Sequence, residues 1–460
     1  MPPRLFPEYF KDMTDSAAKT IFALSTPPGS GGVAVVRVSG PQAAEGALAL
    51  TGLWALQPYK MTVGSIKHPV TGAVIDRALT AYFKAPASYT GEDIVEYHTH
   101  GSPAVVALLL GVLATLPGHR LAEAGEFTRR AFENGKMDLT EAEAIADLIH
   151  AETEAQRAQA VAQMDGALSA LYGGWTERLT RALAHLEADI DFPDEDLPGG
   201  VAAQVRPELE KLQSEIHDHL NDNRRGEILR EGIHIAVIGA PNAGKSSLVN
   251  ALAQREVAIV SEVAGTTRDI IEAHLNLGGY PVILSDTAGL RPEQIGETGH
   301  DKIESEGIRR ALQRAREADI KILLFDATAE KSDAHTAALK DENSLVVFNK
   351  IDLGHSGSGE ESSLKISTKT GSGLKALTGA LVEKIKALIG ERVSPSPTRA
   401  RHRAALEECA QLLERALVAP QPELIAEDVR LATRALGRIT GRVDVEDLLD
   451  VIFRDFCIGK

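Results

Sequence analysis

Lys245 and Ser246 close the run Gly239-Ala-Pro-Asn-Ala-Gly-Lys-Ser246, which follows an apolar strand pattern and precedes a helical one. A loop of this kind turns its backbone N–H groups toward a β-phosphate, at the positive end of the following helix. Lys245 is then expected to neutralise β- and γ-phosphate charge and to act in catalysis, and Ser246 to ligate Mg²⁺, with Asn242, Ala243, Gly244 and Ser247 completing the contact set. Three further elements follow in order. Asp286-Thr287-Ala288-Gly289 ends a strand pattern, so that Asp286 supports the Mg²⁺ shell and Gly289 senses the γ-phosphate. Asn349-Lys350-Ile-Asp352 ends another, and Asp352 has two acceptor oxygens for the guanine edge. Adenine presents the wrong pattern there, and such mismatches can discriminate by ~10⁴. Ser367-Thr368-Lys369 follows the next strand and is placed to cover the base. Four elements in this order predict GTP rather than ATP. Between them, Gly265-Thr-Thr-Arg-Asp269 occupies the position of a switch loop, where Thr267 is the expected second Mg²⁺ ligand. Position 290 is Leu, where small signalling GTPases carry a water-orienting Gln, so another group must position the water.

These residues need a sheet to hold them. From Ile233 apolar strands (HIAVIG, PVILSDT, IKILLFD, SLVVFN, LKIS) alternate with helical patterns, which predicts a parallel, doubly wound sheet. Before it, Thr20–Thr26, Gly32–Val38, Ala78–Phe83 and Ile94–Tyr97 are short β-rich runs that read as an α+β domain. Helical texture begins at Thr140, where Thr140 and Glu143 form a capping-box pattern. It continues, with a break expected near Gly173–Gly174, to Asp191-Phe-Pro, and Pro207–Leu229 forms another stretch. A Pro/Ser linker at Ser394–Thr398 precedes a helical C-terminus. One helical bundle built from both sides of the insert is preferred over a separate C-terminal domain.

The 460 residues are too many for one core. A content of 43% hydrophobic and 25% charged residues is that of a globular protein, and the longest apolar run, Ala104–Leu116, is too short to span a membrane. The first 18 residues carry Glu8, Asp12 and Asp15 and lack an apolar segment, so they read as a disordered extension, not a leader. Two cysteines, Cys409 and Cys457, fit a reducing compartment, and cytoplasmic localisation is expected. A net charge of −16 disfavours a chain that coats nucleic acid by itself.

Several segments together are highly specific: residues 26–37 (TPPGSGGVAVVR), 88–93 (SYTGED), 125–139 (GEFTRRAFENGKMDL), 191–193 (DFP), 265–269 (GTTRD) and the terminal Cys-Ile-Gly-Lys460. Through them the chain resembles the tRNA-modification GTPases of the MnmE (TrmE) family, over nearly everything after Lys19. The resemblance implies a multidomain protein: an α+β folate-binding-like N-terminal domain, a helical bundle domain, and an inserted Ras-like α/β GTPase domain. The expected boundaries are 1–18 for the extension, 19–136 for the N-terminal folate-binding and dimerisation domain, 137–231 with 387–460 for the discontinuous helical domain, and 232–386 for the GTPase domain.

The resemblance further implies a homodimer that acts with an FAD-binding flavoprotein, MnmG (GidA), to install a carboxymethylaminomethyl or aminomethyl group at C5 of a tRNA wobble uridine. The one-carbon donor would be a 5-formyl- or 5,10-methylene-tetrahydrofolate, contacted by Arg37, Glu92, Lys136 and Lys460. By the same likeness, GTPase domains dimerise across the nucleotide with K⁺ replacing an arginine finger. Its ligands would be Asn242, Ser261, Val263 and Thr266, with Ser261 and Thr266 also at the nucleotide. Glu304 matches the water-positioning glutamate, with Glu306 as the alternative. Cys457 is open to two readings, a thiolate nucleophile or an ordinary apolar residue; Cys409, at helical spacing beside Leu406 and Leu412, reads as core. A regulatory switch and a folate-binding scaffold are the competing functions. Intact Lys245, Asp286 and Asp352 disfavour the scaffold, and the folate-type residues and C-terminal run disfavour the switch. Arg399–Arg403 (RARHR) is the best local basic patch for tRNA.

Overall fold

The computed structural model describes residues 19–191, 201–255, 257–258, 272–286, 316–329, 333–354, 363–390, 395–443, 446–454 and 456–459. The chain divides into two compact units, residues 1–146 with 169–177 and 433–460, and residues 147–168 with 178–432.

The first unit is built on a six-stranded sheet. Its strands are β1 (Thr20–Leu24), β2 (Gly31–Ser39), β3 (Met61–Lys67), β4 (Val74–Phe83), β5 (Ile94–Gly101) and β6 (His119–Leu121), in the order β3-β4-β5-β2-β1-β6. All neighbours are antiparallel except β1 and β6. One face buries Phe22, Val36, Val38, Val95 and Tyr97 against Leu50 of the helix Ala43–Thr51 and Leu109 and Leu113 of the helix Pro103–Ala114. The β-rich runs read from the sequence become β1, β2, β4 and β5. Strand β3 was not legible because it is an edge: Met61 and Val63 stay 49% and 77% exposed, so no buried alternation marks it.

The helix Leu139–His150 begins two residues earlier than its capping-box reading placed it. Asp138 caps it, accepting the Glu141 N–H at 3.0 Å, while Glu141 accepts the Asp138 N–H at 2.8 Å. Thr140 and Glu143 have instead gone into the helix interior, 0% and 2% exposed. The box is thus shifted by two residues, and Asp competes as well as Thr for this position. Nor does the helix Ala167–Asp191 break at Gly173–Gly174. Two glycines weaken a helix by ~1 kcal/mol each, but buried Leu168, Tyr172, Trp175 and Leu179 flank them. Burial outweighs the glycine penalty. The interruption falls earlier, at Asp165-Gly166, between this helix and Glu154–Met164.

The C-terminal Glu446–Arg454 helix contributes Leu449 and Phe453, with Phe456, to a cluster with Leu139, Ala142 and Ala146. Beyond it, Ile458 bridges Ala124. Ser25 Oγ donates to the Gly459 carbonyl at 3.0 Å, and a Cβ on Gly459 would come within 2.1 Å of the Leu24 carbonyl oxygen. Only glycine fits there, with φ of 98°.

The second unit holds a seven-stranded sheet: β7 (Ile233–Gly239), β8 (Val257–Ala258), β9 (Glu272–Leu277), β10 (Tyr280–Asp286), β11 (Ile320–Asp326), β12 (Ser344–Asn349) and β13 (Leu364–Lys365). The order is β13-β12-β11-β7-β10-β9-β8. The five strands read from the sequence are the parallel ones; β9 and β8 add an antiparallel edge. Alternate residues feed opposite faces, as a doubly wound sheet requires. Ile233, Ile235, Val237, Ile320, Ile322 and Leu324 enter one core, and Ala236, Ile238, Leu323 and Phe325 the other.

In the same unit the helices Val201–Leu220 and Ala400–Val418 flank the insert in sequence and are joined through Arg403. Its guanidinium donates to Asp222 at 2.7 Å and Glu227 at 2.9 Å. Nearby His219 is pushed down from 6.5 to about 4, by burial first, with Arg403, Arg225 and His402 adding and Asp222 opposing. Because its folded pKa lies below the unfolded one, its contribution is present above pH ~6.5 and is lost as pH falls toward 4. A loss of about 2 kcal/mol is expected across that window, discounted for partial exposure. Urea midpoints at pH 7 and 4.5 test this. His219→Gln should flatten the acid limb, whereas an unchanged limb would assign the loss to carboxylates.

Candidate active site

The carboxyl ends of β7, β10 and β12 open on a cavity of about 800 Å³. Its lining includes Asn242, Gly244, Lys245, Ser246, Ser247 and Asp286 at one end, and Asn349, Lys350, Asp352, Thr368 and Lys369 at the other. Ala243 and Ser367 are buried immediately behind. Pro241 and Leu353 also line it and carry no motif signal that would single them out; Leu353 is an apolar side chain left 67% exposed.

The helix Lys245–Arg255 starts directly after the loop, so its first N–H groups face the cavity. Asn242 and Gly244 take positive φ, 67° and 97°. At Gly244 a Cβ would meet Asn349 Nδ2 at 2.3 Å, leaving no room for another residue. Lys245 is 7% exposed, and its ammonium donates to the Gly239 and Ala240 carbonyls at 2.9 and 3.1 Å. Burial pushes its pKa down, while Asp286 and Asp333 pull it up. Ser246 Oγ donates to Asp286 Oδ2 at 2.5 Å, and Asp286 Oδ1 is buried with no hydrogen-bond partner among the described residues. A hydroxyl and a carboxylate with a spare buried oxygen are the donor set a hard divalent cation prefers. The residues present therefore fit Mg²⁺.

The other end is held by side chains that span the chain. Asn349, fully buried, donates to the Ala243 carbonyl at 2.8 Å and accepts the Thr368 N–H at 3.1 Å. It thereby ties the phosphate loop to the Ser367–Lys369 loop. Ser367 Oγ donates to Asp352 Oδ1 at 2.6 Å, which orients that exposed carboxylate. Lys350 Nζ donates to Asp326 Oδ2 at 2.7 Å, and nothing in the sequence had marked Asp326. Ser261, Val263, Thr266, Thr267, Thr287, Ala288, Gly289, Leu290, Glu304 and Glu306 lie outside the described residues.

In the first unit, Arg37 on β2 donates to Glu96 at 2.9 Å across the pair with β5, and its guanidinium lies 5.4 Å from the Tyr89 ring and 5.7 Å from that of Phe127. Glu92 accepts from Ser39 Oγ at 2.8 Å, two residues along the same face of β2, and from Arg130 at 3.1 Å. Lys136 is exposed and donates to the Pro86 carbonyl at 3.0 Å. The turn around Tyr89 and Glu92 brings these three together. A carboxylate acceptor, aromatic faces and cations form a set of groups that suits a pterin with a glutamate tail. Lys460 lies outside the described residues. Cys457 is exposed, and Cys409 is fully buried, its thiol pushed up to about 12 by burial. The RARHR segment is not a free cationic surface. Arg399 pairs with Asp147 at 2.8 Å, Arg403 with Asp222 and Glu227, and His402 is buried.

Two family models match the chain, "GTP-binding protein TrmE N-terminus" over residues 20–136 and "MnmE helical domain" over 139–457. Among curated proteins, "tRNA modification GTPase MnmE" of Parvibaculum lavamentivorans is 55% identical over 96% of this chain and 100% of its own length. The chain belongs to the MnmE family of tRNA modification GTPases. The same-named protein of Rhodospirillum rubrum is 52% identical over 96% of this chain and 99% of its own. That of Caulobacter vibrioides is 50% identical over 97% and 100%. The chain is accordingly a GTP-hydrolysing enzyme, with an N-terminal TrmE-type domain, a helical domain and a GTPase domain on the doubly wound sheet. Among the described residues, no helix is long and apolar enough to cross a membrane.

Proposed function

We propose that this MnmE-family enzyme is the GTPase subunit of a cytoplasmic complex that modifies tRNA wobble uridines. With the FAD-binding flavoprotein MnmG it would add the carboxymethylaminomethyl or aminomethyl group at C5, drawing one carbon from a tetrahydrofolate derivative. The observation that carries the hydrolytic half is the convergence of Lys245, Ser246 and Asp286 at one end of a cavity whose other end presents Asp352. GTP sits with its phosphates on the loop at 239–246 and its base at Asp352. Ser246 and Asp286, with Thr267, would hold Mg²⁺, which offsets phosphate charge when bound. Water attacks the γ-phosphorus, the bond to the β-phosphate oxygen breaks, and GDP and phosphate leave. Lys245 stabilises the charge that develops on those oxygens. Glu304 positions the water.

K⁺ would supply the remaining positive charge, held by Asn242, Ser261, Val263 and Thr266 when two GTPase domains meet. Support for a homodimer through the N-terminal domain comes from edge strand β3 and its surroundings, where Trp54, Val63 and Val74 are 94%, 77% and 58% exposed. The folate reading rests on Arg37, Glu92 and Lys136 around one turn, with Lys460. The domain division at 136–137, 231–232 and 386–387 is part of the same proposal; ion pairs of Arg403 with Asp222 and Glu227 support one helical domain from both flanks.

Steady-state GTP hydrolysis in K⁺ against Na⁺ tests the mechanism. We expect a rate at least ~10-fold higher in K⁺, lost in Asn242→Ala, the scale of removing one fixed charge donor. Equal rates in both salts would remove the K⁺ ligands and the dimer across the nucleotide. Nucleoside analysis of tRNA from a strain lacking the gene tests the other half, and unmodified wobble uridine is the expected result.

A further inference from the structure

Asp326 closes β11, directly opposite Asn349 in the register of β11 with β12, and the Ala327 N–H donates to the Asn349 carbonyl at 2.8 Å. It does not line the nucleotide cavity. Its carboxylate is nonetheless fully engaged at the rim. Oδ2 accepts from Lys350 Nζ at 2.7 Å, while Oδ1 accepts the Thr328 N–H at 2.9 Å and its hydroxyl at 2.7 Å. Lys350 itself has φ of 67°, uncommon for a residue with a side chain, and opens the short turn Ile351–Leu353 that carries Asp352.

Lys350 lines the cavity beside Asp352 and Leu353, yet its ammonium is anchored outside it. The four-carbon stem must therefore run along the cavity wall. A lysine is among the side chains with most rotamer freedom, and an untethered one would have to be ordered each time a base arrived. A tether present before binding removes that entropy loss. At 25% and 30% side-chain exposure the ion pair itself adds little to folding stability. Its effect should appear in binding instead.

We propose that Asp326 is a positioning residue for the guanine end of the cavity, acting through Lys350 by holding its stem as a preformed wall for the base. This rests on the reading of the cavity as the GTP site, and GDP titration of the unaltered protein checks that separately. If the unaltered chain bound no GDP, the site itself would be misplaced.

The full-length chain and four variants are compared: Asp326→Asn, Asp326→Glu, Lys350→Met and the double Asp326→Asn/Lys350→Met. Asparagine still accepts from Thr328 but cannot hold an ammonium as an ion pair. For Asp326→Asn, KM for GTP and Kd for GDP should rise about five- to tenfold, with kcat within about twofold. The thermal midpoint should stay within a few degrees, as for a partly exposed pair. Asp326→Glu, which keeps the charge, should recover part of the loss. The double variant should bind no worse than Lys350→Met, because one interaction cannot be lost twice. Additive losses in the double variant would overturn the proposal, showing that Asp326 acts by another route. A fall in kcat with KM unchanged would overturn it as well.

Discussion

Asp352→Asn is expected to raise the KM for GTP by ~10³ and to transfer preference toward a xanthine nucleotide. Guanine offers an N–H and an amino group on one edge, and a carboxylate accepts both. In the structure this carboxylate is aimed by the Ser367 hydroxyl at 2.6 Å, with Lys350 and Lys369 lining the same end of the cavity. An asparagine keeps one acceptor and replaces the other with a donor. The guanine amino group then meets an amide N–H, and one donor is left unpaired out of water. Xanthine has an oxygen at that ring position, which restores the match. Competition of GTP and XTP for hydrolysis reads this directly. If the variant kept its GTP preference, the base would have to lie elsewhere and the orientation of the nucleotide would be reversed or wrong.

Lys245→Met should lower kcat/KM for GTP by about 10³ or more. The ammonium sits at the base of the phosphate loop, 7% exposed, and its stem packs where water is excluded. A positive charge there interacts with phosphate far more strongly than it would in solvent. Without nucleotide it rests on the Gly239 and Ala240 carbonyls and is pulled on by Asp286 and Asp333, so its burial is compensated. Methionine fills the same volume and needs no partner, so the fold should survive. Hydrolysis should fall while circular dichroism and the thermal midpoint hold. A loss of less than tenfold would make Lys245 a structural tie within the loop.

Much of the second unit was legible because its signals are local. Apolar runs such as IKILLFD are buried on both faces and need no partner to be recognised, and the phosphate loop, Asp286 and Asp352 lie at strand ends within a few residues of those runs. The antiparallel edge formed by β8 and β9 escaped notice. Its strands are short, and of β9 only Leu275 and Leu277 are buried. In the helices, the two misplacements share one cause. Thr140 and Gly173–Gly174 were read by propensity, whereas Asp138 and the buried Tyr172 and Trp175 decided the outcome.

The order of motifs along the chain by itself determined the nucleotide class, the parallel strands and the family, since each depends on residue types at short fixed spacing. What only the tertiary structure decided are ties between residues far apart in the chain. Asn349 holds Ala243 across 106 positions, and Arg403 holds Asp222 across 181. Ser25 donates to the Gly459 carbonyl across 434. The basic run at Arg399–Arg403 was visible as charge, yet its partners Asp147, Asp222 and Glu227 were not, and they turn a candidate RNA surface into an internal brace. Asp326 was silent for the same reason. A carboxylate's role is set by which cation reaches it, and that depends on how strands β11 and β12 lie side by side. Local periodicity carries no record of such neighbours.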